Sequence, residues 1–221
     1  MRVLITGTSK GIGRAAALKF IHEGHEVIGI DVEESTIGES KHGFGHYSHI
    51  IADVADYDSL PPIANVEVLI NNAGVQNSGR DIEVNLKGVI NCTNKYGLHN
   101  SIKAIVNQAS VSAHNGAEFP EYVASKGGVL AYTKCIAKTV AEYGATCNSV
   151  SFGGVVTELN APVLDDPDNW NAVMDMTPLK KWASVEEAAE WIYFIAVLNK
   201  SMTAQDIIVD NGEMHNHTFV W

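Results

Sequence analysis

The stretch "RVLITGTSKGIG", Arg2 to Gly13, decides the fold. Its opening run, Arg2 to Thr6, is largely apolar and β-branched with no polar alternation, the pattern of a strand buried on both faces of a parallel sheet. Glycines at 7, 11 and 13 then allow a tight turn and a close approach of backbone N–H groups to a pyrophosphate. Ile12, Ala16 and Phe20 recur at helical spacing, predicting a helix from about Gly11 to Glu23 that stops at Gly24. The glycine spacing is not G-x-G-x-x-G, and a purely structural strand-to-helix turn would use the same residues.

Outward from that unit, further strand-like runs stand at 26–30, 49–51, 66–70, 103–109, 147–152 and 205–210, separated by helical patterns. Alternation of this kind predicts an α/β fold, a doubly wound parallel sheet with right-handed crossovers. No repeat or linker divides the 221 residues, so one domain over 1–221 is expected. The net charge of -11, with 15 basic and 26 acidic residues, excludes a phosphate-backbone partner, so no nucleic acid is expected. The longest strongly apolar run, Trp191 to Leu198, is far shorter than the roughly 20 residues that span a bilayer, so no membrane is expected either. The start of the chain shows no charged leader with an apolar stretch and cleavage site. Cys92, Cys135 and Cys147 suit reduced thiols, and together these features predict a soluble cytoplasmic protein.

In such a sheet, ligands bind beyond the carboxyl ends of the strands where strand order reverses. The second strand ends at Asp31, 24 residues after Gly7, where a carboxylate can accept from adenosine ribose hydroxyls and would repel a 2′-phosphate. Glycine turn and carboxylate together point to a dinucleotide, NAD in preference to NADP. Other motifs follow in order: "ADV" with Asp53 and Val54, "NNAG" at 71–74, "VNLKG" with Asn85, "IVNQASVSA" with Ser110, "YVASK" with Tyr122 and Lys126, "SFGGVVT" at 151–157 and "QDIIVDNG" at 205–212.

This ordered set resembles the short-chain dehydrogenase/reductase family over nearly the whole chain, which implies a Rossmann-like fold and an NAD-dependent oxidoreductase acting on a secondary alcohol or ketone. The resemblance implies catalytic roles for Asn85, Ser110, Tyr122 and Lys126. It implies cofactor contacts from Gly7, Ser9, Lys10, Gly11, Ile12 and Gly13 on the turn, then Asp31, Asp53 and Val54. Asn72, Ala73 and Gly74, Tyr122 and Lys126, and Gly153, Val155 and Thr157 complete that set. As hydride leaves a carbinol carbon the hydroxyl proton must leave too, so a base must reach the oxygen. A free phenol titrates near 10, and bringing it close to neutral takes roughly 4 kcal/mol of preferential phenolate stabilisation. Tyr122 and Lys126 are four apart, on one helix face, so the ammonium can supply it. By resemblance Ser110 orients the substrate oxygen, Lys126 also holds the nicotinamide ribose, and Asn85 holds a water of a proton relay.

The sequence also departs from the family. Asp53 to Asn71 is only 18 residues and Gly74 to Asn85 only 11, so one helix should be cut to a turn and the next should lose its beginning. Phe152 replaces a usual proline, and Ala109 and Ala204 a serine and a glycine. These changes bear on the adenine rim and on the helix-pair interface. His42, His46 and His49 are closely spaced but lack a Cys or acidic partner and read as a loop, so no metal is expected. Trp182, Trp191, Tyr193 and Phe194 read as core or subunit contact, and Phe219 and Trp221 as a tail docked on a partner in a homo-oligomer, a tetramer or dimer. The segment 158–176 carries five acids and no Lys or Arg, which favours a neutral, fairly apolar small-molecule substrate. A 3-oxoacyl-thioester (acyl-carrier-protein) reductase is the alternative within the family, and a non-catalytic nucleotide-sensing regulator the alternative outside it.

Overall fold

The computed structural model describes residues 1–38, 45–117 and 119–215; His42, Phe219 and Trp221 lie outside them. Strands β1 (Arg2–Thr6), β2 (Glu26–Asp31), β3 (His46–Ile51), β4 (Val68–Asn71), β5 (Ala104–Ser110), β6 (Thr146–Phe152) and β7 (Asp206–Val209) form one seven-stranded sheet. Its order is β3-β2-β1-β4-β5-β6-β7 and every neighbouring pair is parallel. Strand order therefore reverses between β1 and β4, and the crevice for a ligand opens there.

Alternation along the buried strands feeds two cores. Val3 and Ile5 pack on one face with Phe20 and Ile192, under α1 (Gly11–His22) and a later helix. Leu4 points the other way, into a cluster with Leu69, Cys92, Ile105 and Val140, under α2 (Gly88–Tyr96). Beyond β5 come α3 (Ser112–Asn115) and the long α4 (Pro120–Ala141), which carries the Tyr-Lys pair. Between β6 and β7 lie α5 (Ala161–Leu164), α6 (Pro167–Met176) and α7 (Val185–Tyr193). Ser184 and Glu187 form a capping box on α7, and Asp166 caps α6 by accepting from the Asp168 and Asn169 amides. Burial pushes the Cys92 and Cys147 thiols up to about 12, so they behave as small apolar groups.

The expected shortening is visible. Residues 52–67 run in turns with no helix, and the buried side chains of Leu60 and Val66 fill the space beneath them. Tyr96 pins this segment by donating from its hydroxyl to the Pro61 carbonyl at 2.7 Å. After β4 the chain turns once through 76–81 and enters a π-helical turn, Ile82–Lys87, directly ahead of α2. The late aromatics divide. Tyr193 meets Phe20 edge-on, whereas Trp191 and Phe194 form an exposed ring pair 6.1 Å apart. His49 bonds Tyr47 and the Glu33 carbonyl, so its role on β3 is to hold the chain that follows β2.

Candidate active site

The first half of the site is built where β1 and β4 end side by side. Thr6 Oγ1 accepts from the amides of Asn72 and Ala73, both at 3.0 Å, and the Asn72 side chain donates to the carbonyls of Thr6 and Gly7 at 2.9 and 3.1 Å. Gly7 takes a left-handed φ of 75°, and a Cβ on Gly13 would stand 1.9 Å from the Gly7 oxygen, so α1 can abut the turn only without a side chain there.

A cleft of about 470 Å³ opens above this junction. Gly7, Lys10, Gly11 and Ile12 line it from the turn, and Asp31, Asp53 and Val54 from the ends of β2 and β3. Asn72, Ala73 and Gly74 line it from the end of β4, and Thr157 from beyond β6. Ser9 and Gly13 are buried, and the Ser9 amide donates to the Asp31 carboxylate. Gly153 and Val155 shape the exit of β6, through the Gly153 amide on the Val209 carbonyl and a bridge from Val155 to Ala183.

Charges around the cleft are tied to one another. Asp31 accepts from the Ser9 amide at 2.9 Å and the Glu33 amide at 3.0 Å. Glu33 in turn grips the Lys10 ammonium at 2.6 Å, and that hydrogen bond raises the lysine pKa above its ordinary value. Burial works upward on the Asp53 carboxyl, but the Arg80 guanidinium at 2.8 Å and the Ala55 amide outweigh it and hold the group below the usual carboxylate range. Two oxygens lining the cleft, Asn72 Oδ1 and Gln108 Oε1, are buried without a hydrogen-bond partner. A nicotinamide dinucleotide, rich in amide and hydroxyl donors, fits such a cradle.

The second half of the site lies on α4 and the strands beside it. Lys126 is 3% exposed, its ammonium donates to the Gln108 carbonyl at 3.1 Å, and it stands 5.7 Å from the centre of the Tyr122 ring. Asn85, wholly buried in the π-helical turn, accepts from the Val75 amide at 2.8 Å and donates to the Val75 carbonyl at 2.9 Å and to Ser125 Oγ at 3.0 Å. Ser125 donates to the Tyr122 carbonyl, so a polar chain joins the π-helical turn to the tyrosine's own helix. Ser110 sits at the end of β5, with its Oγ within 3.0 Å of Ser112 Oγ.

A family model described as "Enoyl-(Acyl carrier protein) reductase" matches residues 7–214. The chain belongs to the short-chain dehydrogenase/reductase family. A 3-oxoacyl-[acyl-carrier-protein] reductase of Staphylococcus epidermidis is 32% identical over 238 aligned positions, covering 95% of this chain and 97% of the relative. A glucose 1-dehydrogenase of Gluconobacter oxydans is 31% identical, covering 96% and 91%. Among solved structures, an aldohexose dehydrogenase of Thermoplasma acidophilum superposes with a TM-score of 0.84 at 28% identity, over 100% and 96% of the two chains. The protein is thus a short-chain oxidoreductase of CH–OH and keto groups that works with a nicotinamide cofactor.

Four residues of this short-chain dehydrogenase escaped the sequence reading: Glu33, Arg80, Gln108 and Ser125. Ser125 lies inside "YVASK" and Gln108 two residues before Ser110, so position alone could have flagged them. Glu33 and Arg80 act across 23 and 27 residues of chain, and no local pattern marks such pairs.

Proposed function

We propose that the protein transfers hydride between NAD and a neutral, fairly apolar secondary alcohol or its ketone, with Tyr122 moving the hydroxyl proton. The observation that carries this reading is the buried Lys126 ammonium, anchored on Gln108 beside the Tyr122 ring. A cation withdrawn from water acts on a neighbouring phenol with little screening, so it favours the phenolate that takes the proton. The nicotinamide, when bound, accepts or supplies the hydride. Ser110 holds the substrate oxygen. Lys126 also holds the nicotinamide ribose, and Asn85 secures the Val75 backbone and Ser125 so that the phenol, the ammonium and a relay water keep their places. The turn residues Gly7 to Gly13, with Asn72 to Gly74, Gly153, Val155 and Thr157, hold the dinucleotide.

NAD rather than NADP is supported by charge at the end of β2. A 2′-phosphate would face the Asp31 carboxylate, and Lys10, the cation best placed to offset it, is already held by Glu33. The neutral substrate is supported by the segment 158–176, between β6 and α7. Glu158, Asp165, Asp166, Asp168 and Asp175 stand there with no Lys or Arg. The nearest lysines are engaged elsewhere, Lys180 on the Met174 and Asp175 carbonyls and Lys181 on Glu187. Identity to acyl-carrier-protein reductases favours one second reading, reduction of a 3-oxoacyl thioester. Comparing kcat/KM at low salt for neutral secondary alcohols and sugars with that for acetoacetyl thioesters decides between them; a clear preference for the anionic thioester overturns the neutral assignment. No helix among the described residues is long and apolar enough to cross a membrane. A cytoplasmic homo-oligomer, tetramer or dimer, completes the reading, supported by the exposed Trp191 and Phe194 rings.

A further inference from the structure

The short connection after β4 does more than save residues. Gly79 takes a left-handed φ of 73°, and buried Asp81 gathers the amides of Asn77 and Ser78 and the Ser78 hydroxyl, which fixes the turn on either side of Arg80. Arg80 thereby lines the cleft, together with Ile30, Ala52, Val54 and its partner Asp53. Its guanidinium is gripped by Asp53 at 2.8 Å and the side chain as a whole remains 56% exposed, so part of the group is spent on the carboxylate while the side chain still faces open space. Asp53 for its part has one oxygen on Arg80 and the other on the Ala55 amide. Its acceptor sites are largely committed to protein donors.

We propose that Arg80 is the base-recognition residue of the cofactor site, its guanidinium plane covering the adenine ring, with Asp53 as the residue that orients it. Apolar Ile30 and Val54 supply a surface on which a flat ring can lie, and an arginine plane is suited to stack on a π-system where a lysine is not. The wall that a longer helix would otherwise build is replaced by one side chain, because 11 residues from Gly74 to Asn85 leave no room for more. The inference rests on the nicotinamide-dinucleotide reading and adds to it which residue selects the base.

The test is equilibrium binding, independent of turnover. Dissociation constants for NADH, ADP-ribose, 2′-phospho-ADP-ribose and nicotinamide mononucleotide are measured by calorimetry and NADH fluorescence on wild type, Arg80→Ala, Arg80→Lys and Asp53→Asn, with thermal unfolding as the fold control. Arg80→Ala is expected to weaken NADH and ADP-ribose on the order of 3- to 30-fold and to leave nicotinamide mononucleotide unchanged. Arg80→Lys should recover less than half of that loss on a logarithmic scale, since it keeps the charge and lacks the plane. Asp53→Asn should fall between. Unchanged ADP-ribose affinity in Arg80→Ala overturns the proposal, as does full recovery in Arg80→Lys. A loss confined to the 2′-phosphorylated ligand overturns it too, because Arg80 would then be a phosphate contact. A wild type that binds neither NADH nor ADP-ribose would instead sink the dinucleotide reading, and this inference with it.

Discussion

At Tyr122 the proposed chemistry depends on one hydroxyl. Tyr122→Phe removes the atom proposed to transfer the proton and leaves the ring, so turnover should fall at least about a hundredfold while NADH still binds. Single-turnover kinetics beside NADH fluorescence titration measures both; near-normal turnover in the folded variant would remove the tyrosine from the mechanism. A different residue contributes to the pH response of the fold. His25 packs against Phe20 and Tyr193, and burial first, then the neighbouring N-terminal ammonium, lowers its pKa below the ordinary 6.5. The folded state therefore binds the proton less readily than the unfolded one, so His25 lowers stability as pH falls through 6.5 towards the depressed value. His25→Gln should flatten the decline of Tm between pH 7 and 5, and parallel curves for both proteins would assign that decline to other groups.

The element proposed to set cofactor choice is the end of β2 with the turn after β1. Asp31→Ser removes the carboxylate proposed to face the 2′ position, and with Glu33→Gln it also releases Lys10 from its 2.6 Å pair. Together they should shift the NADPH-to-NADH ratio of kcat/KM by on the order of tenfold or more, about 1.4 kcal/mol, in favour of NADPH. An unmoved ratio would place the discrimination elsewhere. This region also shows what sequence could and could not tell. The run Arg2–Thr6 and the helix after it read correctly because a doubly buried strand and a 3.6-residue period are local properties. The residues that could hold the cofactor were legible likewise, as a motif order. The Lys10–Glu33 and Arg80–Asp53 pairs were not, since each joins loops that meet only once the sheet is assembled. The π-helical turn at Asn85 was hidden as well, because its spacing imitates an ordinary helix.

For the whole molecule, association and sheet coverage are linked questions. A chain ending at Glu213 keeps the side-chain carboxylate that accepts from the Gly154 amide but lacks Phe219 and Trp221. Light scattering should show weaker self-association for it, and an unchanged oligomer would exclude the tail from the contact. The missing helix between β3 and β4 has a consequence in time rather than in space. β3 is an edge strand, held through β2 alone, and the segment that follows it covers the sheet with turns. β4 and β5 are paired on both sides, and their strand residues are almost wholly buried. Native-state hydrogen exchange should therefore run across the sheet as a wave, with the amides of His46–Ile51 deuterated well before those of Val68–Asn71 and Ala104–Ser110. Because Asp31 is paired with Ile51 on that early-opening side, the end of the cleft proposed for adenosine would loosen first, and bound cofactor should slow the wave at its origin.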